Sequence, residues 1–274
     1  MRHSPNGVSI HPDVSALTTA TAARLITKLV DVQSRRGVAT VVLTGGTVGI
    51  AMLDAVATAP ARGAVDWSRV NFWWGDERFL PADSPDRNAV QADAALLSQL
   101  PVDPDRVHPV PAADEVASVE EAAAAYALAL ADAAAAEELA PGFEQVDPRL
   151  PRFDVLLLGV GPDAHVASLF PEMAGVRTVG ETVVAVHNAP KPPPERVSLT
   201  MEAINTAEEV WLTVAGEDKA GAVGLALAGA GLVQVPAAGP RGRRKTRWLI
   251  DQSAASQLSD RLLDPEGDGP DTED

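Results

Sequence analysis

A chain of 274 residues, 46% hydrophobic and only 4% aromatic, is long enough for a substantial core, while a formal charge of -16 argues against a general binder of nucleic acid or anionic membrane. Cysteine is absent, which removes disulfides and thiolate metal sites. A small anionic ligand remains admissible, because all but four of the 22 basic residues are Arg, whose planar fork suits phosphate or carboxylate.

The opening "MRHSPNGVSIHPDV" has no apolar run of the kind a secretory signal carries. Val14, Leu17, Thr21, Leu25, Leu29 and Val32 then recur at three- and four-residue steps, the spacing of an amphipathic helix ending near Gly37. "ATVVL" (39–43) reads as a buried strand, followed by the turn "TGGTVG" and a helix to about Ala57. "RVNFWW" (69–74) is a second strand, running into the polar loop "GDERFLPADSPDRN". A helix from Asn88 to Leu100, a short strand around Val107 and a long alanine helix from Ala117 to about Leu139 come next. That helix carries Glu120, Glu121 and Asp132, and alanine anchors poorly in lipid, so it is not a membrane span. A cytoplasmic protein is expected.

"APGFEQVDPRLPR" (140–152) is a Pro-punctuated connector. Beyond it "FDVLLLG" predicts a strand, then a short helix, the strand "TVVAVH", and an extended end to "KPPPERVSLT". "EVWLTVAG" predicts a strand, 217–228 a helix and "TRWLID" (246–251) the last strand. Strands alternating with helices predict an α/β fold with a mainly parallel sheet, whose ligands sit beyond the carboxyl ends of the strands. Each unusual motif of the chain falls at such an end.

Four of these loops carry chemistry. In Thr44-Gly45-Gly46-Thr47-Val48-Gly49, two glycines let backbone approach an anion, and the N–H groups of a helix start point towards it. The Gly-Lys-Ser/Thr ending of a Walker A loop is missing, and a tight turn capped by Thr is the plain alternative. In "WWGDERFLP", Arg78 can clamp phosphate, and Asp76 and Glu77 can orient it or serve as acid or base; a structural ion-pair cluster is the competing reading, favoured for Glu77. In "KPPPERVSLT", three prolines stiffen a segment presenting Lys191 and Arg196, unless it is only an extended linker.

The remaining loop is "LLLGVGPDAHVASLF". Gly159 to Ala164 fits a dinucleotide spacing, but Pro171 leaves no room for a crossover helix and no acid closes the next strand. Asp163 and His165 make only two metal ligands, and Ser168 sits on no G-x-S-x-G elbow. A general base is what remains, with Asp163 holding the tautomer of His165. The competing reading is a helix-capping Asp beside a satisfied His.

In order, LTGGT, WWGDERFLPADSPDRN, LLLGVGPDAHVASLFP and KPPPERVSLT resemble the 6-phosphogluconolactonase family, whose members carry T/S-G-G-S/T, W-G-D-E-R, G-x-G-P-D-G-H-x-A-S-L-F-P and K-P-P-x-R-I/V-S/T-L-T. "VAGEDKAGAV" resembles the family's later G-x-x-K segment, and the likeness spans roughly residues 15 to 251. It implies a single Rossmann-like α/β domain, placed at residues 1–252, with a mainly parallel sheet, helices on both faces and kinship to glucosamine-6-phosphate deaminases; residues 253–274, rich in acids, are expected to form a flexible tail. It further implies hydrolysis of 6-phospho-D-glucono-1,5-lactone in the oxidative pentose phosphate pathway, with no metal and no cofactor. The implied partner is a small phosphorylated sugar lactone, neither nucleic acid nor membrane, met by a monomer or weak homo-oligomer.

Carried over by position, His165 is the expected catalytic histidine and Asp163 its orienting partner. Thr44, Gly45, Gly46, Thr47, Asp76, Arg78, Gly161, Lys191, Arg196 and Lys219 are the expected substrate-binding set. Two positions depart from the pattern. Ala164 stands where the family has Gly, which strains the backbone if φ is positive there, and "PEMAG" lengthens the loop after Phe170. A glucosamine-6-phosphate deaminase would need an acidic partner in the run after His165, where Ala-Ser-Leu-Phe-Pro follows instead at 167–171. A sugar-phosphate sensor of the regulator type would need a DNA-binding segment, and no helix-turn-helix or basic region is visible.

Overall fold

The apolar runs "ATVVL" and "VLLL" become neighbouring parallel strands inside the main sheet, β2 (Ala39–Leu43) and β5 (Val155–Leu158), every residue of which is buried. The computed structural model describes residues 7–137 and 146–258. Residues 138–139 of the expected alanine helix, 140–145 of the expected connector and the tail beyond 258 lie outside the described residues.

Alternation of side chains sends Val41, Leu43, Val155 and Leu157 into one core and Val42, Leu156 and Leu158 into the other. The first core is roofed by α1 (Val14–Arg36), α2 (Gly46–Thr58) and α3 (Asn88–Ala95). The second is covered by α4 (Val119–Ala136) and α6 (Ala220–Leu227), the latter following the short α5 (Met201–Ile204). Helices on both faces of a parallel sheet are what strands buried on both sides require.

The sheet has six strands, all parallel, in the order β1-β9-β8-β5-β2-β3, with β3 at Val70–Trp74, β8 at Glu209–Val214 and β9 at Lys245–Asp251. From β2 the chain goes to β3 on one side, and later from β5 to β8 and β9 on the other. The crevice between the carboxyl ends of β2 and β5 is therefore the switch point at which such sheets bind ligands. The loops starting at Thr44 and Gly159 open there.

Local signals explain the helix ends. Asp13 caps α1 by accepting from Ala16 N at 2.8 Å, and Gly37 closes it at φ 77° with its N–H on Gln33 O. Ser118 caps α4 by accepting from Glu121 N. α3 has no capping side chain of its own, and the Glu77 carboxylate supplies one from across the loop by accepting from Asn88 N at 2.7 Å and Ala89 N at 2.8 Å. At the outer strand β3, Tyr126 Oη accepts from Trp74 N at 2.8 Å and donates to Trp74 O at 2.9 Å, satisfying an edge that would otherwise be open.

Several sequence expectations are corrected. Gly7–His11 forms β1, an edge strand on β9 for which the polar opening gave no periodic signal. Residues 76–78 are strand β4 (Asp76–Arg78) instead of loop, pairing antiparallel with β7 (Arg196–Leu199), which in turn pairs with β6 (Val183–Val186). The strands at 182–187 and 196–199 thus leave the main sheet for a three-stranded antiparallel one. The helix expected after Gly161 is absent: Ala164 (φ 67°) and Ala167 (φ 49°) are left-handed, which breaks any helix, and Val166 bridges Leu169. The strand around Val107 is a single bridge to Phe72, and the helix expected to reach Leu100 stops at Ala95 before a 3₁₀ turn at Leu97–Gln99. Among the described residues, no helix is long and apolar enough to cross a membrane.

Candidate active site

At the switch point lies a cleft of about 580 Å³ lined by residues from all four sequence loops and from the segment that carries Lys219. Thr44, Gly45, Gly46, Thr47, Asp76, Arg78, Gly161, His165, Lys191, Arg196 and Lys219 all face it. Asp163 joins through His165 and Lys191.

The turn at Gly161 brings Asp163 and His165 together. Gly161 N donates to His165 O at 3.0 Å and Ala164 N donates to Gly161 O at 2.9 Å, folding Asp163 and His165 onto the same side. Ala164 takes φ 67°, the strained conformation the sequence raised for a residue in glycine's place. Asp163 Oδ1 lies 2.6 Å from His165 Nδ1 and 3.3 Å from Lys191 Nζ. Partial burial works against the Asp163 charge, but the His165 hydrogen bond and the His165 and Lys191 charges outweigh it and hold the carboxyl well below the usual range. An ionised carboxylate only accepts, so Nδ1 carries the proton and a neutral imidazole keeps its lone pair on Nε2. Phe170 packs its ring 4.6 Å from the imidazole.

The glycine loop opens α2 with Gly45 as its cap and no side-chain cap bond, so the Thr-capped turn gives way to bare backbone N–H groups at a helix start. Gly46 has φ 81° and lies open to solvent, as does Thr47. The Thr44 hydroxyl accepts from Gly159 N at 3.4 Å, tying the two loops of the crevice together. Gly45 has no room for a side chain: a Cβ there would stand 1.9 Å from Asn88 Oδ1.

Strand alternation in β4 turns Asp76 and Arg78 to the cleft and Glu77 away from it. Glu77 is buried and caps α3, with Arg87 at 3.6 Å, so the structural reading holds for it. Neither acid orients the Arg78 guanidinium, which donates from Nη1 to Asp86 O at 2.6 Å. Asp76 instead accepts from Ser168 Oγ at 2.6 Å. Arg196, register partner of Arg78, is buried, and desolvation lowers its pKa against the upward pull of Asp76. At the far wall Asp251 accepts from Gly216 N at 3.1 Å, fixing the turn that presents Lys219, whose Nζ donates to Asp218 Oδ2.

Asn88, Ser168, Asp218 and Asp251 were not singled out as site residues from the sequence. Asn88 ends the polar loop after Arg87 and opens α3, a signal that was present; Ser168 and Asp251 reach their places only through tertiary contacts. Among the described residues, no three His, Asp or Glu side chains are grouped as a metal ion would need.

Chemically, the cleft combines an oriented imidazole with a helix start and four cations, Arg78, Lys191, Arg196 and Lys219. Residues 12–248 match the family model of glucosamine-6-phosphate isomerases/6-phosphogluconolactonase. The 6-phosphogluconolactonase of Streptomyces coelicolor is 57% identical over 258 residues, covering 93% of this chain and 96% of the relative. That of Mycobacterium tuberculosis is 43% identical over 255 residues, covering 92% and 98%. The structure of 6-phosphogluconolactonase from Trypanosoma brucei is similar with a TM-score of 0.79 at 25% identity, over 93% of this chain and 100% of that one. A monomeric glucosamine-6-phosphate deaminase shares the fold, with a TM-score of 0.72 at 16% identity over 91% of this chain and 99% of that one.

Proposed function

The chain belongs to the glucosamine-6-phosphate isomerase/6-phosphogluconolactonase family, and on that premise we propose that it hydrolyses 6-phospho-D-glucono-1,5-lactone to 6-phospho-D-gluconate. The observation that carries the reading is His165, held by Asp163 at 2.6 Å and opening on the same cleft as Gly45, Gly46 and Thr47. The pathway step is the lactone hydrolysis of the oxidative pentose phosphate route, carried out in the cytoplasm without metal or cofactor by a monomer or weak homo-oligomer.

A lactone is an activated ester, so water needs only a base, a fixed direction of attack and help for the developing charge. His165 Nε2 takes a proton from water as its oxygen bonds to C1. The carbonyl pair moves onto oxygen, then returns as the C1–ring-oxygen bond breaks, and the imidazolium gives its proton to the departing ring oxygen. Asp163 stabilises the imidazolium while it lasts and keeps Nε2 aimed at the water. One such base is worth about 10²–10⁴-fold, roughly 3–5 kcal/mol of barrier. The phosphate lies on the Gly45–Thr47 backbone, with Arg78 and Lys219 as its cations, and its binding energy positions C1.

The deciding experiment compares His165→Ala with Arg78→Ala in a lactone assay corrected for spontaneous hydrolysis. The first collapses kcat while largely sparing KM, and the second raises KM. Near-normal turnover in His165→Ala ends the base assignment. Ammonia release from glucosamine 6-phosphate would move the chain to the deaminase branch.

A further inference from the structure

We propose that Arg196 is a positioning residue: its buried guanidinium sets the turn at 191–193 and so delivers Lys191 to Asp163. The inference deepens the lactonase reading and rests on it for its kinetic test. Arg196 is 6% exposed, and its hydrogen bonds run to main-chain carbonyls. Nε donates to Pro193 O at 3.1 Å, and Nη2 donates to Lys191 O and to Pro192 O, both at 3.0 Å. A guanidinium has five N–H donors and two edges able to grip an oxyanion in pairs. One edge is formed by Nε and Nη2, the other by Nη1 and Nη2, so both run through Nη2. With Nη2 spent, Arg196 can offer an anion only the single donors of Nη1.

The three carbonyls belong to successive residues of a segment in which Pro192, Pro193 and Pro194 have no N–H to make bonds of their own. The strut therefore substitutes for the ladder such a stretch cannot form. Its product is the place of Lys191, whose Nζ stands 3.3 Å from Asp163 Oδ1, the same oxygen that His165 Nδ1 meets at 2.6 Å. The guanidinium carbon also lies 5.7 Å above the Phe170 ring, which packs at 4.6 Å on the imidazole. One buried cation thus supports the reactive pair from both ends, Asp163 through Lys191 and His165 through Phe170.

The test uses Arg196→Lys, Lys191→Met and the double variant. Arg196→Lys keeps charge and length but loses the fork, and it carries the test if Arg196→Ala does not fold. Each single variant lowers kcat by about 10-fold or more with KM within about 3-fold, and the double falls no further than the poorer single, since both cut one chain of contacts. Amide hydrogen exchange quickens at residues 188–191 and 195 in Arg196→Lys and not in Lys191→Met. Where Arg196→Ala folds, added guanidinium restores part of its kcat. A rise in KM at unchanged kcat in Arg196→Lys would mean a direct grip on the phosphate and overturn the proposal. Losses that multiply in the double variant, or unchanged exchange, would overturn it as well. Exchange needs no substrate, so if the wild type left the lactone untouched the lactonase reading would fall while exchange alone still decided the role of Arg196.

Discussion

Gly161→Ala should abolish most activity without unfolding the protein. Gly161 is not among the glycines with positive φ, so the backbone accepts alanine there. The obstacle is the added methyl. An ideal Cβ stands 2.1 Å from His165 Nδ1, 2.2 Å from His165 Cε1 and 2.4 Å from Asp163 Oδ1, where ordinary contact begins at 3.4 Å. The imidazole must retreat by roughly 1.3 Å and the carboxylate by roughly 1 Å, in different directions, which breaks their 2.6 Å bond. A misplacement of about 1 Å at reacting groups costs on the order of 10²-fold, and complete loss of base catalysis up to about 10⁴-fold. We expect kcat down by about 10²–10⁴-fold with KM within a few-fold, and a melting temperature lowered by several degrees in a protein that still folds, since the broken pair also contributes to stability. The control is Gly159→Ala, two residues away, where a Cβ meets nothing within 4 Å. Initial rates of 6-phosphogluconate formation, read by coupled oxidation with the spontaneous rate subtracted, give both constants. If Gly161→Ala turned over within about threefold of wild type, with Gly159→Ala as reference, the Asp163–His165 geometry would not be what drives the reaction.

Glu77→Ala leaves Asn88 N and Ala89 N without their acceptor and the buried Arg87 without its carboxylate, at a cost of roughly 3–5 kcal/mol. Thermal melts should show a fall of roughly 10 °C, and a fall under 2 °C would contradict the capping role. Ala164→Gly relieves roughly 1–2 kcal/mol of left-handed strain and gives up about 0.8 kcal/mol of buried methyl, so urea midpoints should hold or rise slightly with kcat intact; a clear loss of stability would show that the strain is not felt. The Asp163 carboxyl is held below its unfolded value, so its contribution to stability is complete above about pH 4–5 and is lost as pH falls towards the folded value. The stability deficit of Asp163→Asn should therefore shrink as pH falls from about 5 to about 3, and a deficit unchanged at pH 3 would refute the pairing.

The chain by itself determined the class of fold and the kinds of group the candidate site offers. A short apolar run such as "VLLL", between a Pro-punctuated connector and a Gly turn, reads as a strand buried on both faces, and such strands alternating with amphipathic helices point to a parallel sheet with ligands at its carboxyl ends. Glycines beside Thr44, and Asp and His two residues apart after a strand, were legible because their chemistry is local. What the tertiary structure alone decided is which of these groups meet, and by what partners. Asp76 to Arg78 looks like loop in sequence and becomes strand only because Arg196 to Leu199 lies alongside, more than a hundred residues later. Arg196 reads in sequence as one of the substrate-binding residues, while in the structure its fork lies on the carbonyls of Lys191, Pro192 and Pro193. β1 escaped notice because an edge strand is defined by the hydrogen bonds β9 offers, not by any periodicity of its own. Residue types set what each group can donate, accept or bury; only the packing of distant segments sets which partner it finds.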